Sequence, residues 1–217
     1  MLIQYDQDLE HHLGTGAGRQ IPYGHALHDP AGAHYDFIAQ PELIPRVLED
    51  FLPFGDEPGV QRFYDLLRWV NGPTSPFEST DCGMRPPSLN PTPDLGEGAT
   101  VQIFGRVMIV FRNHRRNVDQ NLVRMFMTQL AFTLKNIDRG WKRGCIMYAP
   151  TDSHFTTLGT EPSADTIGLE VCLNWWAWGD SDDRAFDSLG RLSDNLRTAL
   201  EAVAVEVPTW RVGLAKE

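Results

Sequence analysis

The sequence predicts an α+β fold, in which helices pack on an antiparallel or mixed sheet. Residues 101–111 carry apolar side chains on both faces of the expected strand, which is typical of an interior strand. Residues 122–137 have so little polar surface that the helix they predict must be buried against the sheet. Residues 167–177 alternate as in a strand that is half exposed on one face, and residues 186–203 carry the apolar stripe of a helix.

These elements follow one another in the β-α-β-β-α order of a ferredoxin-like sandwich. The order needs a second strand, which the apolar residues 145–148 predict, ending before Pro150. Residues 205–207 are compatible with a short final strand. The α+β sandwich core is therefore expected to occupy the C-terminal half, residues 99–217.

A loop-rich and helical N-terminal extension is expected over residues 1–98, in one compact unit with the core. Pro41 suits the first turn of a helix that ends before Pro53, and apolar residues at spacings of three and four predict a second helix from Val60 to Val70. Residues 71–98 are rich in proline, and that density is incompatible with a helix or a central strand.

The proline-rich residues 71–98 are therefore predicted to form a long loop. A loop of this length either wraps the domain or forms one wall of a site, and its composition leaves both readings open. The side chains that could bind there are Glu78, Asp81, Cys82 and Arg85.

Charge is distributed unevenly along the chain, whose net charge is −10. Nine basic residues lie between Arg106 and Arg143 against two acidic ones, so the rest of the chain carries a net charge of −17. Such acidity disfavours unspecific binding to nucleic acid or to a membrane surface, because contacts to phosphate come mainly from Lys and Arg. It favours a basic protein as partner.

The cysteines and the absence of targeting patterns favour the cytoplasm. Cys82, Cys145 and Cys172 are odd in number and lie far apart, which is typical of reduced thiols rather than of a disulfide framework. The N-terminus lacks the pattern of a signal peptide, and no stretch of the sequence is long and apolar enough to span a membrane.

A basic turn over residues 112–117 is the first candidate binding site. It precedes the buried helix, for which Asn117 or Asp119 would serve as N-cap, and positive side chains beside a helix start favour an anion. The favoured alternative is that these cations pair with the surplus acids of the protein itself. The residues concerned are Arg112, His114, Arg115 and Arg116.

The tryptophan-rich end of the third strand is the second candidate. Alternation places Trp175 on the core side and sends Trp176 and Trp178 to the opposite face, just before Asp180, Asp182 and Asp183. Exposed aromatic side chains ringed by carboxylates would suit a basic protein partner or a cationic ligand. Equally, the N-terminal helices could cover the rings, with the aspartates serving only to cap the last helix.

No cofactor, metal or catalytic residue is predicted. The run Gly14 to Gly18 lacks the preceding strand and following helix of a dinucleotide-binding loop. The early histidines lie in Gly- and Pro-rich sequence without the fixed spacing of metal ligands; they are His11, His12, His25, His28 and His34. Three short groupings of reactive side chains lack any catalytic motif: Ser153 with His154, His28 with Asp29, and Glu78 with Asp81 and Cys82.

These observations favour a cytoplasmic binding protein over an enzyme. The expected function is inhibition of a basic protein, as in the immunity proteins that neutralise toxins. The alternatives are a hydrolase or transferase that acts on an anionic, phosphorylated substrate between residues 71–98 and the basic turn, and a structural subunit of a larger assembly.

Overall fold

A six-stranded mixed sheet forms the centre of the protein, for which the computed structural model describes residues 1–7, 20–22 and 35–207, without the side chains of residues 49 and 50. The strand order is β1-β5-β6-β4-β3, and β2 also pairs with β5. β1 and β2 run parallel to β5, whereas the other pairs are antiparallel. The strands are β1 Leu2–Tyr5, β2 Gln20–Ile21, β3 Phe77–Leu89, β4 Val101–Phe111, β5 Gly144–Phe155 and β6 Ile167–Gly179.

Helices pack on one face of this sheet, which we call the inner face; the opposite face is the outer face. One apolar cluster joins buried side chains of the three long helices to alternate residues of β4 and β6. This arrangement confirms the predicted α+β fold with a mixed sheet. Among the residues described, the α-helices are α1 Ile44–Val47, α2 Pro58–Val70, α3 Arg115–Val118, α4 Gln120–Asn136 and α5 Asp182–Glu206.

The order β4-α4-β5-β6-α5 matches the predicted ferredoxin-like sequence of elements. β6 lies between β4 and β5 and is antiparallel to both. β4 and β5 are therefore parallel to each other, with β6 inserted between them. The suggested final strand at residues 205–207 is wrong, because α5 continues to Glu206. The edge beside β4 is instead occupied by β3.

The predicted loop over residues 71–98 is wrong for Phe77–Leu89, which form β3 and pair with β4. β3 is an edge strand, so one side of its backbone needs no ladder partner. Pro86 and Pro87 fall where the register shifts between Arg85 and Ser88, which is a position that tolerates proline. Residues 77–89 therefore form a strand because they pair with β4, although their proline content disfavours one.

β5 is also longer than expected, because it continues through Pro150 to Phe155. β1 pairs with β5 at residues 145–148, and β2 pairs with it at residues 154–155. Pro150 lies in the gap between these two pairings, where a missing backbone donor on that side costs no ladder bond.

The N-terminal helical segments differ in regularity. α2 confirms the predicted second helix, and it packs against α5 so closely that a Cβ on Gly59 would lie 2.0 Å from the carbonyl oxygen of Phe186. The first predicted helix is broken into a 3-10 turn at Pro41–Leu43, the short α1 and a second 3-10 segment at Glu49–Phe54. Pro45 lies in the first turn of α1 and Pro53 lies inside the second 3-10 segment, and each lacks the backbone N–H that a continuous α-helix would use at that position. Among the helices of the described ranges, none combines the length and apolarity needed to cross a bilayer.

Candidate functional site

A buried carboxylate, Glu170, lies at the centre of the outer face. Its side chain is 0% exposed, although alternation along β6 predicted an exposed position. The Thr80 hydroxyl donates to Glu170 Oε2 at 2.6 Å, and the Ser153 hydroxyl donates to Oε1 at 2.6 Å. These two hydrogen bonds offset part of the cost of burying a polar side chain in the sheet.

Strand geometry explains why these hydroxyls meet Glu170. The register of β3 and β4 shifts between Ser79 and Asp81, so Thr80 is an extra residue, and such bulges redirect a side chain. Ser153 faces Gly168, and Thr151 faces Glu170, across the β5–β6 pair. Within the described ranges the buried Thr151 hydroxyl has no hydrogen-bond partner, so this part of the outer face is polar but not fully satisfied.

His114 joins two groups that the sequence analysis treated separately. Its Nε2 lies 2.8 Å from Glu78 Oε1, and its Nδ1 lies 2.7 Å from the Thr157 hydroxyl. The imidazole also packs on the Phe155 ring, at 5.2 Å between centroids. A residue of the basic turn is thus held by a residue of β3 and by one that follows β5.

The other three residues of the basic turn do not converge on one site. Arg112 donates to the carbonyl oxygens of Gly72 and Phe77, and Arg116 donates to that of Val207, whereas Arg115 is exposed. The guanidinium groups of Arg112 and Arg116, which were expected to bind an anion or the protein's own acids, therefore donate to backbone carbonyls.

The helix start beside the basic turn is capped internally. Of the two N-cap candidates, Asp119 caps α4 by accepting from the backbone N–H of Leu122, whereas Asn117 bonds both backbone groups of Phe111. A carboxylate of the protein itself thus occupies the position at which an anion was considered.

The four candidates on β3 divide between the two faces. Glu78, Asp81 and Arg85 lie on the outer face, where Asp81 pairs with Arg106 at 2.6 Å and Arg85 lies 5.9 Å from the centre of the Phe104 ring. Cys82 packs instead against the main core, where burial raises the pKa of its thiol to about 12. This thiol is protonated at neutral pH and is a poor nucleophile.

Trp178 is buried, at 2% exposure, and so it is not an exposed anchor. Trp176 and Trp178 do face away from the main core, as alternation predicts, and both belong to a small outer cluster with Ala99 and Cys145. The cover over Trp178 comes from the 3-10 helix Pro93–Gly96 rather than from the N-terminal helices.

Trp176 is partly exposed, and its ring lies 5.0 Å from that of Phe104 between centroids. It is therefore the member of the tryptophan pair that a partner could contact.

The three predicted aspartates have different environments. Asp180 is bound by both terminal nitrogens of Arg143, at 2.9 and 3.2 Å. Asp182 and Asp183 are exposed in the first turn of α5, and they form no ion pair within the part of the chain that the structure describes. Of the predicted acidic rim, these two carboxylates remain available to a partner.

Thr80, Thr157 and Glu170 are site residues that the sequence did not identify. Ser153 was grouped with His154, but its hydroxyl donates to Glu170, whereas His154 Nε2 lies 3.1 Å from the carbonyl oxygen of Gly159. One signal was present, because Glu170 is a charged residue between Leu169 and Val171 in an apolar strand. The bulge at Thr80 has no sequence signature that would have revealed the pairing.

The early histidines that were considered as metal ligands and set aside lie outside the residues that the structure describes, and so does the Gly14 to Gly18 run. Within residues 1–7, 20–22 and 35–207, no group of three or more His, Cys, Asp and Glu side chains is arranged to hold a metal ion.

Comparison with known proteins yields no match, whether to a family model, to a curated protein or to a solved structure.

Proposed function

We propose that this chain is a cytoplasmic binding protein that recognises a basic protein partner through one end of its sheet, as an inhibitor of the immunity-protein type would. We call this surface the acidic end. The observation that carries the proposal is a set of exposed carboxylates that form no ion pair within the described part of the chain, beside exposed leucines. The acidic end consists of Leu89, Asp94, Leu95, Trp176, Asp182 and Asp183.

Strand pairing supports the proximity of these residues. Val101, the first residue of β4, pairs with Leu89 on one side and with Gly179 on the other. The Thr100 hydroxyl donates to the carbonyl oxygen of Asp180 at 3.4 Å. The end of β3, the start of β4 and the start of α5 therefore share one end of the sheet.

Charge at the acidic end is only partly neutralised. Lys142 pairs with Glu97, and Arg143 pairs with Asp180. Asp94, Asp182 and Asp183 have no such partner among the residues described. Unneutralised carboxylates on one surface attract a basic protein over several ångströms and raise its association rate.

Apolar contact area complements this charge. Leu89 is 84% exposed and Leu95 is 55% exposed, and the partly exposed Trp176 lies on the outer face next to Phe104. Interfaces gain much of their binding energy from a few aromatic and apolar residues, with charged groups around them. The acidic end offers both kinds of group.

The test is a titration of the purified chain with a basic protein encoded by a neighbouring reading frame. We expect the triple variant Asp94→Asn/Asp182→Asn/Asp183→Asn to associate about tenfold or more slowly at low ionic strength, because it removes the steering charge. Stopped-flow fluorescence measures the rate, and the loss should shrink as salt is added.

A matched control removes three carboxylates elsewhere. Asp56, Glu161 and Asp165 are also exposed, so Asp56→Asn/Glu161→Gln/Asp165→Asn changes the net charge equally. We expect this variant to bind much as the unmodified chain does. Equal slowing in both triple variants, or no complex with any basic neighbour, would count against an interface at the acidic end.

A further inference from the structure

We propose that Thr157, His114 and Glu78 form a catalytic relay in which the Thr157 hydroxyl accepts an acyl group from a carboxylic ester. This activity goes beyond the proposed binding function and involves the opposite end of β4. It lies between β3 and the basic turn, which is the position that the alternative of a hydrolase or transferase requires.

The geometry of the relay is that of a nucleophile, a base and an orienting group. The Thr157 hydroxyl lies 2.7 Å from His114 Nδ1, and His114 Nε2 lies 2.8 Å from Glu78 Oε1. A base needs to be within about 2.6–3.2 Å of the hydroxyl that it deprotonates, and a third group must orient the base. When Nε2 carries the proton and donates to Glu78, the Nδ1 lone pair is left to accept the Thr157 proton.

Burial distinguishes the three members of the relay. Thr157 is exposed, whereas the His114 and Glu78 side chains are only 12% and 16% exposed. A substrate could therefore reach the hydroxyl, while the imidazole and the carboxylate are shielded from most of the water. Shielding strengthens the interaction between the two groups.

Three side chains, one from the start of β3 and two at the end of β5, hold the imidazole in one orientation. Glu78 lies near the start of β3, Thr157 follows β5, and the fully buried Phe155 packs on the His114 ring. An imidazole in contact with three neighbours loses little freedom when it acts as a base, which is the condition that general-base catalysis requires.

The acyl-transfer step balances without a cofactor. Thr157 Oγ1 attacks the ester carbonyl carbon as its proton passes to His114 Nδ1, and Glu78 stabilises the imidazolium that forms. The tetrahedral intermediate collapses and the bond to the leaving oxygen breaks. That oxygen takes the proton from His114 or, where it departs as an anion such as p-nitrophenolate, His114 releases the proton to solvent. Water, deprotonated by the same imidazole, then hydrolyses the acyl-threonine and restores the hydroxyl.

The test uses p-nitrophenyl acetate with the full chain. We expect release of p-nitrophenolate together with one acetyl group on the peptide that contains Thr157, detected by mass spectrometry. His114→Asn should slow acetylation of Thr157 by about 10²–10⁴-fold, which is the contribution typical of a general base.

Variants at the hydroxyl separate catalysis from structure. Thr157→Val should abolish the acetylated peptide, whereas Thr157→Ser should retain it because the nucleophile is preserved. Thr198→Val changes an exposed threonine on α5 and should leave the reaction unaltered. The relay is excluded if Thr157 is never acetylated, or if its acetylation rate is the same in the His114→Asn variant.

Discussion

Gly96 lies directly against the indole ring of Trp178, so that a Cβ built on Gly96 would come within 2.9 Å of Trp178 Cγ. No ordinary side chain could occupy position 96 without displacing this ring or the backbone. The contact places the 3-10 helix Pro93–Gly96 over the outer face and buries Trp178 within the small outer cluster. It also leaves Trp176 as the accessible tryptophan at the acidic end.

Replacing Gly96 with alanine should destabilise the protein by about 1–3 kcal/mol, because the added methyl group overpacks a site that is bounded by a rigid ring. Gly83→Ala is the matched control, since a Cβ at Gly83 meets nothing within 4 Å. Urea unfolding followed by tryptophan fluorescence would measure both. Equal midpoints for the two variants would contradict the close packing of Trp178.

Removing either hydroxyl that binds Glu170 should also be costly. Thr80→Val and Ser153→Ala each withdraw a donor from a fully buried carboxylate, and we expect a loss of about 1–3 kcal/mol for each. Because the two hydroxyls share Glu170, the double variant should deviate from the sum of the single losses.

Thr198→Val, on the exposed side of α5, serves as a control for the loss of a hydroxyl and should change stability by less than about 0.5 kcal/mol. Denaturant unfolding of all four variants would give the comparison. Additive and small losses at Thr80 and Ser153 would show that the buried network contributes little to stability.

Asp138→Asn should reveal a pH-dependent contribution to stability. Hydrogen bonds from Arg191, and secondarily from Asn195, lower the pKa of Asp138 below its ordinary value. A carboxyl whose pKa is lower in the folded state stabilises the protein above its unfolded pKa and loses that effect as the pH falls through the folded pKa.

We expect Asp138→Asn to cost up to about 1 kcal/mol near neutral pH, since Arg191 is half exposed and water screens the pair. The difference from the unmodified chain should vanish as the pH falls below the ordinary range of an aspartate. Asp165→Asn, at an exposed and unpaired position, should show no such trend in unfolding curves measured across this pH range.

The cysteines should be unreactive in the folded protein. Burial raises the pKa of Cys82 and of Cys145 to about 12, and Cys172 is fully buried. Because the thiolate is the reactive form, we expect a disulfide reagent such as DTNB to label none of them rapidly at mildly alkaline pH. All three should react after unfolding in guanidinium. A thiol that reacts rapidly without denaturant would show that its part of the sheet opens.

Much of the inner half of the fold could be predicted because its signals are local. The apolar stripe of α5, the apolar faces of β4 and the Asp119 cap of α4 each appear within one short stretch of sequence. Hydrophobic periodicity specifies an element and the side that it buries, whatever the rest of the chain does.

The candidate site was harder to predict because its residues meet only through pairing between distant segments. Glu78 and His114 were identified separately, and they are 36 positions apart in sequence. Thr80 and Glu170 are separated by 90 positions, and their contact depends on a bulge in an edge strand. No local pattern contains that information.

The sequence by itself determined the fold class, the β-α-β-β-α order and the opposite orientations of Trp175 and Trp176, because these follow from periodicity and alternation. Only the tertiary structure decided that Phe77–Leu89 form a strand, that Glu170 and Trp178 are buried, and that Glu78 meets His114. The physical reason is that alternation tells which face a side chain points to, whereas burial depends on what another part of the chain places against that face.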